Sequence, residues 1–156
     1  MTNQQPPMSL YVDADACPVK SEIVRVGERH GLVMHMVSNS WMRLDDSDLV
    51  RRVVVDQGAD VADDWIAEQI APGDIAITAD IPLAARCLEK GAGAIGPNGK
   101  PFTVDNIGMA LAMRELNSDL RDSGAISGAG PQFSAKDRTR FLNNLENMIQ
   151  KIKRGR

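Results

Sequence analysis

Cysteine and histidine are scarce in this chain, two of each in 156 residues. Cys17 and Cys87 fit a reducing compartment, and their spacing suits no metal site. Cys87 sits in a helical pattern and reads as a small core residue. Cys17, beside two acids near a helix start, has the surroundings of a reactive thiol, though packing is the commoner role. A Cys-x5-Arg phosphatase loop is excluded, because Cys17 to Arg25 is the wrong spacing. Long apolar runs are missing as well. No window approaches the roughly 18 uninterrupted apolar residues of a membrane helix. Met1 to Pro7 are polar, without the basic start and apolar core of a signal peptide, so no membrane partner and a cytoplasmic location are expected. Internal repeats and a domain linker are absent too, and a single domain over 1–156 is expected.

What the chain does have is alternation. Strand and helix patterns follow one another from start to end, the signature of a mostly parallel sheet with helices on both faces. Strands are expected at about Ser9 to Asp13, Leu32 to Val37, Arg52 to Asp56, Asp74 to Thr78 and Ala92 to Ile95. A helix opens near Pro18 and stops at Gly31. Others run from about Asp60 to Ile70, Leu83 to Lys90 and Asn106 to Asp122, the last with Ile107, Leu111, Leu116 and Leu120 as its stripe. Residues 123–133 read as a flexible loop, and 134–156 as a basic C-terminal helix with a capping box at Ser134–Asp137. Trp41 lies in a polar connection, where it can stack on a base or, more often, cover a hydrophobic edge; covering is expected.

The stretch Leu10-Tyr11-Val12-Asp13-Ala14-Asp15-Ala16-Cys17-Pro18 organises the rest. An apolar run ends in two carboxylates and a proline, the pattern of a buried strand, its tip and a helix start. Ligands of open parallel sheets sit outside the carboxyl ends of the strands. Two more acidic groups join this one: Asp60 with Asp63 and Asp64 at a helix start, and Asp80 after the fourth strand. In a sheet ordered 3-2-1-4-5, strands one and four are neighbours, so Asp13 and Asp80 project from adjacent tips. Carboxylates within a few ångströms repel by about 4 kcal/mol per close pair at an effective dielectric of 20. Binding a hard cation such as Mg²⁺ or Mn²⁺ relieves that repulsion. Capping explains Asp15 and Asp63 taken singly, but not Asp13 and Asp80 on buried strand ends.

Four segments also carry a resemblance: Asp13-Ala14-Asp15-Ala16-Cys17-Pro18-Val19-Lys20, Asp60-Val61-Ala62-Asp63-Asp64-Trp65-Ile66, Ile77-Thr78-Ala79-Asp80-Ile81-Pro82-Leu83-Ala84 and Asn106-Ile107-Gly108. Together with Gly130-Pro131-Gln132-Phe133-Ser134 and Arg138, Phe141 and Leu142, they resemble the YaiI/YqxD family of bacterial proteins over nearly the whole chain. That family is similar to PIN-like and NYN-type nuclease domains. The resemblance implies a five-stranded α/β/α sandwich of order 3-2-1-4-5 and a metal-dependent, RNase-like site, with acids at the positions of Asp13, of Asp60 or Asp63/Asp64, and of Asp80.

The reading is therefore Mg²⁺- or Mn²⁺-dependent hydrolysis of a phosphodiester, with RNA as partner. Asp13 and Asp80 are candidate direct ligands, with Asp15, Asp60, Asp63 and Asp64 completing the shell, and Lys20 balancing charge on the phosphate. Net charge supports a polyanionic partner unevenly. From Pro131 onwards there are seven Lys/Arg against two Asp/Glu, while the whole chain carries −3. Lys136, Arg138, Arg140, Lys151, Lys153 and Arg154 are candidates for holding a nucleic-acid backbone. Two alternatives stand beside this one. A haloacid-dehalogenase-type phosphatase also begins with strand-Asp-x-Asp, Asp13 being its nucleophile, but Asp63-Asp64 precede Thr78 and the order is wrong. The other is a non-catalytic metal or nucleic-acid binding module.

Overall fold

Five residues, Ser9–Asp13, form the central strand β1, and the sheet is laid out on either side of it. The computed structural model describes residues 8–15, 17–58, 60–122 and 133–155. After β1 come α1 (Lys20–His30), β2 (Val33–Ser38), β3 (Val50–Val54), α2 (Val61–Gln69), β4 (Ile75–Ile77) and α3 (Ile81–Glu89). They are followed by β5 (Gly93–Ile95), β6 (Pro101–Phe102), α4 (Ile107–Asp122) and α5 (Ala135–Arg154). The strands pair in the order β3-β2-β1-β4-β5-β6, all parallel except β6, which runs against β5. The expected sandwich and its 3-2-1-4-5 order are present, with a sixth strand added at one edge. A two-residue strand carries no periodicity to read. It forms because Gly96 N–H donates to Lys100 C=O at 3.0 Å, folding Phe102 back beside Ala94.

The pleat divides the core into two layers. Leu10 and Val12 face one side with Ile23, Met34, Ile77, Phe141 and Leu145, beneath α1 and α5. Tyr11, Val37, Ala76 and Ala94 face the other with Ile66, Ala67, Leu83 and Cys87, beneath α2 and α3. Fully burying side chains such as Phe141 and Leu145 contributes about 1.5–3 kcal/mol each. Because strand side chains alternate, Asp13 shares its face with Tyr11, under α2 and α3. That choice of face decides which acids it meets.

Several boundaries move for physical reasons. Pro18 and Val19 form a turn before α1, which starts two residues later than expected and ends at Gly31 in the left-handed region (φ 68°). β3 begins at Val50, not Arg52, because its register on β2 pairs Met34 with Val50 and Ser38 with Val54. Trp41 does not cover a hydrophobic edge. It is 67% exposed, with the Arg52 guanidinium 4.8 Å from its ring centroid. α4 packs on α3, so Ile107 and Leu111 are half-buried while Leu116 of the expected stripe is exposed. Ser134 and Asp137 make the expected capping box on α5. The loop expected over 123–133 lies outside the described residues except for Phe133, as does the side chain of Leu120. Among the described residues no helix is long and apolar enough to cross a membrane.

Candidate functional site

At the carboxyl edge of the sheet, one threonine ties two strand tips together. Thr78, buried just past β4, donates its hydroxyl to Asp13 Oδ2 at 3.0 Å and accepts the Asp80 N–H at 3.0 Å. Asp80 caps α3, its Oδ1 accepting the Leu83 N–H at 2.8 Å, with Pro82 in the first turn beside it. Both carboxylates are thus fixed by short connections to the two central strands.

The third acid arrives from α2. This helix crosses from β3 back over β2 and β1, which brings its first turn above Asp13. Ala62, Ile66 and Ala67 bury its inner side, and Asp63 lies toward that side while Asp64 is exposed. The Asp63 carboxyl lies against that of Asp80. Burial, then the charges of Asp80, Asp13 and Asp60, push the Asp63 pKa up to about 6. Asp13 is raised as well, by burial first, against the lowering effect of the Thr78 hydrogen bond and with Asp80 and Asp15 adding to it. The cluster holds more negative charge than its surroundings offset, and a proton on Asp63 is the protein's own remedy.

The other expected site residues are placed less centrally. Asp15 accepts the Asn39 N–H at 2.9 Å, and Asn39 in turn reaches the Asp56 carbonyl at 3.1 Å, so this acid braces the loop after β2. Asp60 stands at the N-cap of α2 with φ 68°, the one non-glycine residue with positive φ among the described residues. Its side chain makes no capping hydrogen bond. Asp64 pairs with Arg86 at 2.8 Å, both largely exposed. Lys20 Nζ donates to the carbonyls of Cys17 at 2.7 Å and Ala14 at 3.3 Å, clamping the turn behind β1. Burial raises the Cys17 thiol, so it is a packing residue.

Outside the three central acids lies a crevice of about 240 Å³, lined by Asp60, Asp63, Asp64 and Asp80 together with Arg86 and Arg114. Those two arginines and Thr78's bridging role were not legible as a set. Arg114 is on α4, far along the chain, and only the packing of α4 on α3 brings it here. The donor set is all oxygen, which suits a hard cation. Among the described residues no group of three or more His, Cys, Asp or Glu is set closely enough to hold a metal ion as it stands.

The basic residues of α5 do not form one patch. Arg138 donates to Glu22 Oε2 at 2.9 Å and to the Pro18 carbonyl at 3.1 Å. Arg140 donates to the Asn98 carbonyl and to Asp137, both at 3.2 Å. These contacts set the amino end of α5 at the carboxyl edge of the sheet. A helix of 20 residues is about 30 Å long, which carries Lys151, Lys153 and Arg154 to the opposite edge. There Lys153 Nζ lies 3.0 Å from His30 Nδ1, and His30 pairs with Glu146 at 2.9 Å. Lys136 is exposed near the amino end.

Comparison with known proteins places the chain firmly. Residues 11–151 match the model of the family described as "Uncharacterized BCR, YaiI/YqxD family". A UPF0178 protein of Parvibaculum lavamentivorans is 63% identical over 145 residues, 93% of this chain and 95% of that one. Others from Rhodospirillum rubrum and Bradyrhizobium are 59% and 51% identical, covering 96% and 100% of this chain and 100% and 95% of their own. No solved structure matches it. A mostly parallel sandwich with its acids gathered at the first and fourth strand tips, and a family match spanning almost the whole sequence, make this chain a member of the YaiI/YqxD family.

Proposed function

We propose that the chain is a Mg²⁺- or Mn²⁺-dependent phosphodiesterase acting on nucleic acid, with RNA as its substrate. The observation that supports this reading is the gathering of Asp13, Asp63 and Asp80, from three elements, at one sheet tip, where burial first and then the neighbouring acids push Asp63 up to about 6. Fixed oxygen donors and excess negative charge are what a hard divalent cation requires. Asp13, Asp63 and Asp80 would hold it, with Asp60 and Asp15 at the margins. When bound, such a cation supplies a Lewis acid for the phosphate and a source of hydroxide near neutral pH.

The chain's own residues do the rest. Thr78 keeps Asp13 oriented and spaces it from Asp80. Arg86 and Arg114, on the rim of the crevice, attract the phosphate diester and offset charge that develops on it. Asp60's left-handed backbone frees its carboxylate from capping duty, so it can face the crevice. Neither histidine takes part as a base. His30 is paired with Glu146 at the far edge, and His35 stacks on Tyr11 with ring centroids 4.5 Å apart.

The test is cleavage of a mixed RNA pool with Mn²⁺, run beside p-nitrophenyl phosphate. RNA cleavage by the native protein, lost in Asp13→Asn and Asp80→Asn, supports the reading. Asparagine remains a good N-cap, so the second variant keeps α3 intact. Turnover of the monoester alone, with a phosphoenzyme trapped on Asp13, would replace it with the phosphatase reading. Metal binding with neither substrate cut would leave a binding module.

A further inference from the structure

A second concavity lies beside the acids, and its one carboxylate, Asp137, is paired with Arg140 at 3.2 Å. It is a cleft of about 420 Å³ between the turn 97–100 and the amino end of α5. Ala79, exposed and next in sequence to Asp80, lies on its rim, and Phe102 and Phe133 contribute aromatic surface. Asn98, Lys100 and Arg140 supply the polar and cationic lining. That volume falls in the range of about 300–1,000 Å³ common for small-ligand clefts.

The cleft is built rather than incidental. Gly99 has φ +87°, and a Cβ there would meet the Phe141 amide nitrogen at 2.5 Å, so the turn is seated directly on α5. Asn144 Nδ2 donates to the Gly99 carbonyl at 2.6 Å, and Asn98 Oδ1 accepts the Lys100 N–H at 3.0 Å. Arg140 is held against the turn by the Asn98 carbonyl, and its partner Asp137 is also spent on the helix cap through Ser134 N–H at 2.9 Å. The result is a fixed guanidinium paired with Asp137, an exposed ammonium and two part-buried rings within one small space. Phe133 carries the Arg138 guanidinium 4.9 Å from its centroid on one face and leaves the other for a base. Flat apolar surface with adjacent cations is the complement of a nucleotide: a base with a stacking face and a phosphate attached.

We infer that this cleft takes one unpaired nucleotide of a single strand, its base against Phe102 and Phe133 and its phosphate on Arg140 and Lys100. This rests on the proposed phosphodiesterase and adds what that reading lacks, a reason to prefer single-stranded over duplex substrate. A cleft of about 420 Å³ bounded by the turn and α5 has room for one base rather than a pair. The strand then leaves past Ala79 toward Asp80, which presents the neighbouring phosphodiester to the acids. The arginines and lysines at the far end of α5 play no part in it.

Binding is measured by anisotropy of a fluorescein-labelled octauridylate with the full chain, in EDTA and at low salt, so that catalysis does not enter. Phe133→Leu keeps an apolar side chain but removes the stacking face, and Lys100→Gln removes an exposed cation. The native protein is expected to bind the single strand more tightly than a duplex of the same length. Phe133→Leu should raise Kd about 5-fold to 100-fold at a temperature well below its melting point, which falls modestly because Phe133 also packs against the core. Lys100→Gln should reduce the salt slope by about one with its melting temperature unchanged. Asp63→Asn, with one acid fewer beside the strand, should bind at least as tightly as the native protein in EDTA while failing to cleave when Mn²⁺ is added. Absence of binding, equal affinity for duplex, or native affinity in both cleft variants would overturn the inference. So would loss of binding in Trp41→Ala alone, which would move the strand to the β3 edge. If the cleft variants weaken binding yet Mn²⁺ never elicits cleavage, the cleft stands and the catalytic reading falls.

Discussion

Replacing Asp63 by asparagine should stabilise the metal-free protein above neutral pH while abolishing the proposed cation site. The Asp63 carboxyl goes from its usual 3.8 to about 6 in the fold, through burial and then the charges of Asp80, Asp13 and Asp60. A carboxyl whose folded pKa is raised binds more protons folded than unfolded between these values. Its contribution is therefore best below about pH 4 and is lost as pH rises through 6. A shift of about two units corresponds to about 3 kcal/mol. Asp63 is only half-buried, and solvent screening reduces the realised figure to about 1–2 kcal/mol. The amide in Asp63→Asn keeps the shape, can donate to Asp80 and carries no charge. In EDTA at pH 8 the variant's melting temperature should exceed the native value by about 2–8 °C. The gap should vanish by pH 4, and millimolar Mg²⁺ should reverse the order by stabilising the native protein alone. Thermal melts across this pH range decide the matter. Equal melting temperatures at pH 8 in EDTA, or a gap that persists at pH 4, would refute the reasoning.

Thr78→Val keeps the buried volume but removes the bridge between Asp13 and Asp80; cation affinity and activity should fall about 10-fold to 100-fold, read by calorimetry and RNA cleavage. Arg138→Leu leaves the buried Glu22 without its cation, and Glu22 Oε1 already has no hydrogen-bond partner. Urea unfolding should show a loss of about 1–3 kcal/mol, and Glu22→Gln in the same background should recover part of it. At the far edge, hydrogen bonds from Gln150, His30 and Arg29 hold Glu146 down at about 2. Its stabilisation is complete above the usual glutamate pKa of 4.5 and is lost as pH falls toward 2, so Glu146→Gln should lack that part of the acid-induced drop in urea midpoint.

How much of this was visible in the sequence differs from element to element. Asp13 was legible because a buried strand that ends on an acid has little structural use for it, whereas Asp80, expected to stand apart from the capping acids, is itself the cap of α3 through the Leu83 N–H. The residue types alone leave open the choice among Asp60, Asp63 and Asp64, yet the helix phase contains it. Asp64 and Glu68 are four apart and both exposed, whereas Asp63 lies toward Ile66 and Ala67, which are buried. Trp41 departs from its expected place because covering an edge depends on which way a loop folds, and here Arg52 of the edge strand offers the ring a cation instead. The basic tail looked like one patch because its residues are close in sequence. A straight helix of 20 residues separates them by most of the width of the domain. Arg86 and Arg114 carry no signal of their own, since only tertiary packing brings α3 and α4 to the crevice.

The central claim is that three acids from three elements form one cation site. Isothermal titration of Mn²⁺ into the full chain at neutral pH tests it most directly, with Asp13→Asn, Asp63→Asn and Asp80→Asn alongside. The account predicts saturable binding by the native protein, with proton release that grows as pH falls toward 6, and loss of binding in each variant. No binding of Mn²⁺ or Mg²⁺ at millimolar concentration, or native affinity in all three variants, would contradict it.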